Sequence, residues 1–289
     1  MGASREEGRF DGVGGLEIFW QAWLPPAEPA AVVVLAHGVS EHSGRYGWVG
    51  EQLAEHGYAL YALDHRGHGR SEGQRAFVDR MDNAVADLDS LVDIASAAHE
   101  GLPLFLLGHS MGGCVALAYS FHHQDRLDGL VLSAPLAAAA AASPITRVVG
   151  RLLSEVAPKV GILAIDSSAV SRDPEVVRDY DADPLNFHGR LPARTCEELV
   201  ATIRRLPEGV GLLTLPILTM HGTADTLTPP EGSEMVYERA GSEDKEIIRY
   251  DGLYHELLNE PEREVVLGDV AGWLQPRAER ARSRRATLT

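Results

Sequence analysis

Residues 104–113, LFLLGHSMGG, decide the fold of this chain. The four apolar residues at the start are typical of a buried strand and the segment after Gly113 of a helix, so Ser110 stands in the turn between them. A serine in such a tight turn has strained backbone angles, and the glycines beside it let strand and helix approach closely. The turn presents the hydroxyl at a helix N-terminus, where developing negative charge is favoured. This G-x-S-x-G stretch therefore predicts a nucleophilic serine, with a plain turn as the alternative.

Short apolar runs alternate with helical patterns on both sides of this stretch. The runs occupy residues 31–36, 58–63, 104–107, 130–132, 215–220 and 246–250. Runs that are apolar on both faces are typical of buried parallel strands, and amphipathic segments such as residues 78–98 and 262–274 alternate with them. The succession predicts an α/β fold in which helices flank a mainly parallel sheet.

The alternation breaks between residues 136 and 213, where several helix signals occur and no strand is evident. We interpret residues 136–213 as a helical cap inserted into a core of residues 1–135 and 214–276. Its first helix carries an apolar stripe over residues 145–156 that includes Leu152 and Leu153. The stripe is either ordinary core or the wall of a lipid pocket.

Residues 277–289 form a basic C-terminal tail, with five arginines against one glutamate. A solvated, frayed tail is the simpler interpretation, and a lipid-surface anchor is the alternative.

The composition excludes several classes of protein. The chain has 289 residues, 45% of them apolar, so it is globular, and its net charge of −16 argues against nucleic acid as a partner. The two cysteines, Cys114 and Cys196, lack the spacing of a zinc site or a disulfide framework and are expected to be free thiols. No apolar run is long enough to span a membrane and the N-terminus lacks a signal-peptide core, so we expect a cytoplasmic protein.

A serine hydroxyl becomes a nucleophile only when a histidine takes its proton and a carboxylate orients that histidine. After a G-x-S-x-G turn the acid follows a late strand, and the base follows the last strand. Asp225 follows the run at 215–220 and His255 follows the run at 246–250, so these two residues are predicted to be the acid and the base. Asp251 and Glu256 are the rival acids, but each is too close to His255 in sequence to brace its ring easily.

The oxyanion hole is predicted from the loop after the first apolar run and from the residue after the nucleophile. The corresponding main-chain N–H groups belong to Val39 and Met111. His65 and His68 lie in a glycine-rich segment that resembles a metal-binding loop, but no matching cluster occurs elsewhere in the sequence, so we expect no metal site.

Several segments together resemble the monoacylglycerol lipases, especially the actinobacterial ones, which are serine hydrolases of the α/β-hydrolase superfamily. The segments are HGVSEHSGRY (37–46), LDHRGHGRSEG (63–73), GHSMGG (108–113), LSAP (132–135), HGTAD (221–225) and GLYHELLNE (252–260), and in the cap SRDPEVV (171–177) and DPL (183–185). The resemblance implies an α/β-hydrolase fold and release of a fatty acid and glycerol from a long-chain monoacylglycerol through an acyl-enzyme, without a cofactor. It also implies peripheral membrane contact through the cap.

The resemblance puts the nucleophile, acid and base on the residues already named. It adds Glu41 and Arg45 as contacts for the glycerol end, although the two side chains are equally suited to an internal salt bridge that pins the loop. With a lipid substrate, the cap stripe at Leu152 and Leu153 becomes the expected wall for the acyl chain.

Other functions share some of these features. A broader carboxylesterase or a lysophospholipase would use the same chemistry, and so would a cofactor-free haloperoxidase. A binding protein that has lost turnover is a different class, but the complete set of serine, aspartate and histidine argues against it. Epoxide hydrolases and dehalogenases need an aspartate where this chain has Ser110.

Overall fold

A twisted sheet forms the centre of the fold. The computed structural model describes residues 2–138 and 144–288, and for residues 144–149 and 288 it describes the backbone only. The strands of this sheet are β1 (Ser4–Asp11), β2 (Glu17–Leu24), β3 (Ala31–Ala36), β4 (Tyr58–Leu63), β5 (Leu104–His109), β6 (Gly129–Ser133), β9 (Ile217–Gly222) and β10 (Lys245–Tyr250). Their order across the sheet is β1-β2-β4-β3-β5-β6-β9-β10. All pairs from β4 to β10 are parallel, whereas β2 runs antiparallel to both β1 and β4. The predicted mainly parallel sheet is thus confirmed.

Helices cover both faces of the sheet because the central strands are apolar on both faces. The helices of the described residues are α1 (Gly47–Glu55), α2 (Met81–Ala98), α3 (Met111–His123), α4 (Pro144–Val156), α5 (Pro174–Ala182), α6 (Ala193–Val210), α7 (Glu231–Arg239) and α8 (Arg263–Leu288). In β3, Val32 and Val34 belong to the core shared with α2, α3 and α6, while Val33 and Leu35 belong to the core shared with α1 and α8. The alternation of side chains along each strand therefore builds two cores from one sheet.

The antiparallel hairpin of β1 and β2 is not predicted by the sequence analysis. β1 reads SREEGRFD and is largely exposed, so it lacks the apolar run by which the other strands are recognised. It pairs with β2 along its full length and forms one edge of the sheet. A charged edge strand discourages pairing with another chain, which explains its composition.

The expectation that residues 136–213 contain no strand is wrong. β7 (Gly161–Ala164) and β8 (Arg190–Pro192) form a small antiparallel sheet within the cap. Both strands are short and carry no apolar alternation, and their partners are nearly 30 residues apart in sequence. Only the folded cap brings them together.

The C-terminal segment is also different from its prediction. The last helix, expected to end near residue 274, continues through Pro276 to Leu288, so the tail at residues 277–289 is not frayed over this range. Ala278 and Ala281 are buried, and Arg277 is buried and paired with Asp244 and Glu246. These tertiary contacts offset the hydrogen bond that a proline removes from a helix. Within the described part of the chain, no helix has the length and apolar character needed to cross a bilayer.

Candidate active site

Ser110 occupies a strained turn between β5 and α3. Its backbone has φ 54° and ψ −118°, a conformation that is unfavourable for a residue with a side chain. The neighbouring glycine is needed for close approach, because a Cβ on Gly112 would lie 2.0 Å from the carbonyl oxygen of Ala36. The turn is therefore the one predicted from LFLLGHSMGG, and it holds Ser110 against the floor of a cavity at the carboxyl edge of the sheet.

Asp225 and His255 come together from the loops after β9 and β10. The Nδ1 atom of His255 lies 2.7 Å from Oδ2 of Asp225, and both residues are buried. His255 lines the same cavity as Ser110. The structure thus brings the three residues that sequence order selected to one site, because Asp225 binds His255, and His255 and Ser110 line the same cavity.

The carboxylate of Asp225 is held as an anion by a dense set of donors. Oδ1 accepts from the N–H groups of Leu227 and Thr228, at 2.8 and 3.0 Å. Oδ2 accepts from the hydroxyl of Thr228 at 2.8 Å and lies 3.1 Å from Nε2 of His221. Burial alone would raise the pKa of Asp225, but its hydrogen bonds with His221 and His255 outweigh burial and lower that pKa far below its usual value. The group that orients His255 is consequently ionised at neutral pH.

The two rival acids face elsewhere. Asp251 is exposed, and its Oδ1 accepts a hydrogen bond from the hydroxyl of Thr223 at 3.1 Å. Glu256 is buried, but both of its oxygens bind the guanidinium of Arg45. Neither carboxylate is aligned with Nδ1 of His255, so the geometry favours Asp225.

Three further residues of the site were not found from the sequence. Thr228 and His221 brace Asp225 as described above, and His109 packs its ring 4.7 Å from the ring of His255. Nδ1 of His109 lies 3.0 Å from the carbonyl oxygen of Ser133, and burial together with the nearby His255 lowers the pKa of His109 to about 3. The spacing of His221 and Thr228 around Asp225 was a usable signal, but nothing in the sequence marked the ring contact of His109.

The predicted oxyanion donors belong to two different segments of the chain. Met111 is the first residue of α3, directly after Ser110, and Val39 lines the cavity from the loop after β3. That loop, residues 37–46, is called the oxyanion loop below. Its residue Gly38 donates its N–H to Oε1 of Glu41 at 2.5 Å, which ties the backbone next to Val39 to a buried side chain.

Glu41 and Arg45 form the internal salt bridge that was one of the two sequence interpretations. Nη1 of Arg45 lies 3.0 Å from Oε2 of Glu41, and Oε1 of Glu41 also accepts from the hydroxyl of Tyr46 at 2.9 Å. Burial raises the pKa of Glu41, and the opposing attraction of Arg45 limits that rise. Glu41 lines the cavity, whereas the guanidinium of Arg45 lies behind the carboxylates of Glu41 and Glu256.

The cavity above Ser110 has a volume of about 310 Å³ and two chemically different ends. One end is polar, with Glu41, Tyr180 and Glu256 in its wall. Most of the other described lining residues are apolar, and one face of α6 contributes four of them: Cys196, Leu199, Val200 and Ile203. Such a cavity fits a ligand with a small polar head and an apolar chain.

Among the described residues, α6 contributes to the apolar wall, and the described part of the predicted α4 stripe does not. Leu152 is 57% exposed, Leu153 is half-buried, and neither belongs to the described lining of the cavity. The side chains of residues 145, 148 and 149, also part of the predicted stripe, lie outside the described residues. α4 packs against α6, and two residues at the described end of its stripe, Leu152 and Val156, are exposed on the surface of the cap.

His65 and His68 lie in a buried cluster with His37, the first residue of the oxyanion loop. The ring centroid of His37 lies 4.6 Å from the ring centroid of His65 and 5.5 Å from that of His68. Burial lowers the pKa of His65 to about 3 and that of His68 to about 4, so these rings are neutral at physiological pH. No group of three or more histidine, cysteine or acidic residues in the described ranges has a geometry that could hold a metal ion.

Comparison with known proteins places this site in a family. Residues 27–262 match the family described as "Serine aminopeptidase, S33" (Hydrolase_4). The chain is 43% identical to the monoacylglycerol lipase of Mycolicibacterium smegmatis over 95% of this chain and 98% of that protein. It is 35% identical to the monoglyceride lipase of Homo sapiens over 92% of this chain and 89% of that protein.

A solved structure agrees with these relatives. The monoacylglycerol lipase of Paleococcus ferrophilus superposes with a TM-score of 0.80 at 29% identity, covering 96% of this chain and all of that one. The resemblance stated from the sequence motifs and the α/β-hydrolase fold are both confirmed. The chain belongs to the serine aminopeptidase S33 family, and over nearly its whole length it is similar to monoacylglycerol lipases.

Proposed function

We propose that this protein hydrolyses long-chain monoacylglycerols to a fatty acid and glycerol, with Ser110, His255 and Asp225 as its catalytic triad. The observation that carries the proposal is the single cavity that joins Ser110 and His255 to a long apolar wall on one side and a small polar end on the other. The relatives named monoacylglycerol lipase and monoglyceride lipase support the same substrate.

The reaction begins when His255 accepts the proton of the Ser110 hydroxyl and the oxygen attacks the ester carbonyl. The imidazolium that forms is stabilised by ionised Asp225, which is 2.7 Å from its Nδ1. The negative oxygen of the tetrahedral intermediate is bound by the N–H groups of Val39 and Met111. One such donor typically contributes about 3 kcal/mol to the transition state.

Collapse of the intermediate breaks the ester bond, and His255 gives its proton to the departing glycerol oxygen. The acyl group stays on Ser110 as an ester. A water molecule then gives a proton to His255 and attacks the acyl carbon, and the second collapse releases the fatty acid and returns the proton to Ser110. One water is consumed, and no cofactor takes part in the proposed reaction.

The polar end of the cavity is suited to a glycerol head. The carboxylates of Glu41 and Glu256 provide acceptors for hydroxyl groups, and neither a lysine nor an arginine is among the described lining residues. A phosphate headgroup would meet two buried carboxylates there, which argues against the lysophospholipase alternative. A broad carboxylesterase remains the competing proposal within the same chemistry.

We extend the proposal to location: the protein is cytoplasmic, and its cap makes peripheral contact with a lipid surface. Four exposed apolar side chains come from one stretch of the cap: Leu152, Val156, Val160 and Leu163. Leu163 also lines the cavity, so this surface adjoins the route to Ser110. Leu152 and Leu153 are then assigned to lipid contact at the cap surface, and the acyl wall is assigned to α6. Exposed apolar clusters of this kind are typical of membrane or protein contact.

A substrate panel tests the proposed activity. Detergent-dispersed mono-, di- and trioleoylglycerol are compared with p-nitrophenyl butyrate. Monooleoylglycerol is expected to be cleaved at least about ten times faster than trioleoylglycerol, because the described lining residues form one cavity of about 310 Å³, which is small for three acyl chains. Ser110→Ala is expected to lower turnover of every ester by a factor of about 10⁴ to 10⁶. Equal or faster triacylglycerol hydrolysis would exclude the monoacylglycerol assignment, and a fluorophosphonate adduct on another serine would exclude the nucleophile.

Vesicle flotation tests the lipid contact. Val156→Asp is expected to reduce binding to neutral phosphatidylcholine vesicles, while Val265→Asp, at an exposed residue on α8 outside the cap, serves as the control (the two side chains are 73% and 60% exposed). Equal loss in both variants, or no loss in Val156→Asp, would contradict a role of the cap.

A further inference from the structure

One arginine behind the cavity binds two carboxylates that belong to different catalytic loops. We propose that Arg45 is a positioning residue that sets the oxyanion loop against the loop carrying His255, and that it acts on ester hydrolysis without contacting the glycerol group. The inference rests on the proposed function only in requiring that Ser110 and His255 perform ester hydrolysis. The loop of residues 251–260 is called the base loop below.

The first connection runs from Arg45 to the oxyanion hole. Nη1 of Arg45 binds Oε2 of Glu41 at 3.0 Å, and Oε1 of Glu41 accepts the N–H of Gly38 at 2.5 Å. Gly38 directly precedes Val39, the proposed oxyanion donor. A shift of the Glu41 carboxylate therefore moves the His37–Gly38 peptide, which adjoins the peptide that carries this donor.

The second connection runs from Arg45 to the base. Nη1 and Nη2 bind the two oxygens of Glu256 at 2.5 and 2.7 Å, in the forked geometry that a guanidinium makes with a carboxylate. Glu256 directly follows His255, and its other partner is the side-chain amide of Asn259 at 2.9 Å. Burial alone would raise the pKa of Glu256, but Arg45 outweighs it and the pKa is lowered, so the pair is ionic.

The third connection runs to the cap. The guanidinium carbon of Arg45 lies 4.8 Å from the ring centroid of Tyr180 on α5, within the range of a cation–π contact. The N–H of Glu256 donates to the carbonyl oxygen of Val170 in the cap at 2.8 Å. Arg45 thus lies where the oxyanion loop, the base loop and the cap meet.

The chemistry of the cluster makes this role specific to arginine. Its side chain and those of Glu41 and Glu256 are nearly inaccessible to water, with 10%, 4% and 6% exposure, so removing the cation leaves two buried carboxylates without a counter-charge. Without that counter-charge burial favours protonation of Glu41, whose pKa is already raised, and the ionic contacts that tie the two loops to each other are lost. Lysine keeps the charge but lacks the planar fork that reaches both carboxylates at once.

The test compares two esters that differ in their alcohol. Monooleoylglycerol carries the glycerol head, and p-nitrophenyl butyrate does not. Wild type, Arg45→Gln, Arg45→Lys and Glu256→Gln are titrated with a fluorophosphonate so that kcat refers to functional sites only. Arg277→Gln is the matched control. Arg277 also binds two carboxylates and stacks on an aromatic ring, with 9% side-chain exposure. Its partners lie at the amino end of β10, whereas Ser110 and His255 lie at the carboxyl edge of the sheet.

A positioning role predicts that Arg45→Gln lowers kcat by about tenfold to a hundredfold on both esters, because misplacement of catalytic groups costs rates of this order. The ratio of the two kcat values and the KM for monooleoylglycerol should change by less than about twofold. Arg45→Lys should lower kcat by a smaller factor than Arg45→Gln. Glu256→Gln should lower kcat by the same factor on both esters, and Arg277→Gln should keep wild-type kcat.

An unchanged kcat for p-nitrophenyl butyrate, with a raised KM for monooleoylglycerol, would overturn the inference and make Arg45 a glycerol contact. If Arg45→Gln is recovered only as aggregate, the ratio measured with Arg45→Lys decides by the same criterion. Failure of the proposed function has a different signature, because the wild-type protein would then cleave neither ester through Ser110.

Discussion

Asp225→Asn provides a test in which the structure determines how the new side chain must be oriented. Oδ1 of Asp225 accepts two main-chain N–H groups, from Leu227 and Thr228. Only the carbonyl oxygen of an asparagine can accept these bonds, so it must occupy the Oδ1 position. The amide NH₂ is then forced into the Oδ2 position, 2.7 Å from Nδ1 of His255.

This orientation reverses the hydrogen bond to the base. An NH₂ group donates, so Nδ1 of His255 must accept, and the ring proton moves to Nε2. A protonated Nε2 cannot take the proton of Ser110. The loss is the one expected for a base in the wrong tautomer, a factor of about 10⁴ in kcat, which corresponds to about 5.5 kcal/mol in the transition state.

The assay is p-nitrophenyl butyrate turnover together with the rate of fluorophosphonate labelling, both of which depend on Ser110 as a nucleophile. Both rates should fall by a similar factor, and the circular dichroism spectrum should not change. Asp251→Asn is the matched control, because Asp251 is exposed and its side chain is bound to Thr223, and its kcat should remain within about threefold of wild type. A loss below tenfold in Asp225→Asn, or a larger loss in Asp251→Asn, would refute this reasoning.

Three further outcomes are expected. Leu199→Asp should remove most of the preference for long over short acyl chains, because each buried methylene contributes about 0.8 kcal/mol and a charge in the α6 wall keeps the acyl chain from being buried there. Leu152→Asp should leave the chain-length preference for detergent-dispersed substrate intact. A kcat/KM series over acyl-chain length checks both variants, and the opposite order of effects would assign the acyl wall to α4. Thr228→Val should lower kcat by about tenfold, because Oδ2 of Asp225 loses a donor at 2.8 Å, and wild-type turnover would show that this hydroxyl does not help to orient the acid. The free energy of unfolding should fall as the pH is lowered from about 6.5 towards 4, because the folded-state pKa values of His65, His68 and His109 lie below the unfolded value of about 6.5. Unfolding therefore takes up protons in this range, and each proton taken up lowers the free energy of unfolding by about 1.4 kcal/mol per pH unit. Urea titrations at a series of pH values measure this change, and a constant urea midpoint would contradict it.

The fold class and the central residues of the site were predictable from the sequence because their signals are local. A strand buried on both faces shows itself as an apolar run, and β3 and β4 have the predicted bounds for that reason. The turn at Ser110 shows itself through its glycines, which are needed wherever backbones approach closely. The positions of Asp225 and His255 followed from chain order, since the carboxyl ends of parallel strands meet at one edge of a sheet.

The tertiary structure decided everything that depends on partners distant in the sequence. Arg45 and Glu256 are 211 residues apart, so their pairing could not be recognised from either segment, and the sequence left a salt bridge and a glycerol contact as equal interpretations for Arg45. The amphipathic pattern of α4 predicted that one face is apolar, but not whether that face meets the core, the cavity or the exterior. Among the described residues, the apolar cavity wall includes one face of α6 and not the described end of the α4 stripe. The C-terminal helix continues beyond Pro276, where Arg277 pairs with Asp244 and Glu246. Local sequence patterns indicate which side chains are apolar and are expected to be buried. Which surface packs against them depends on contacts between distant segments, and these exist only in the folded chain.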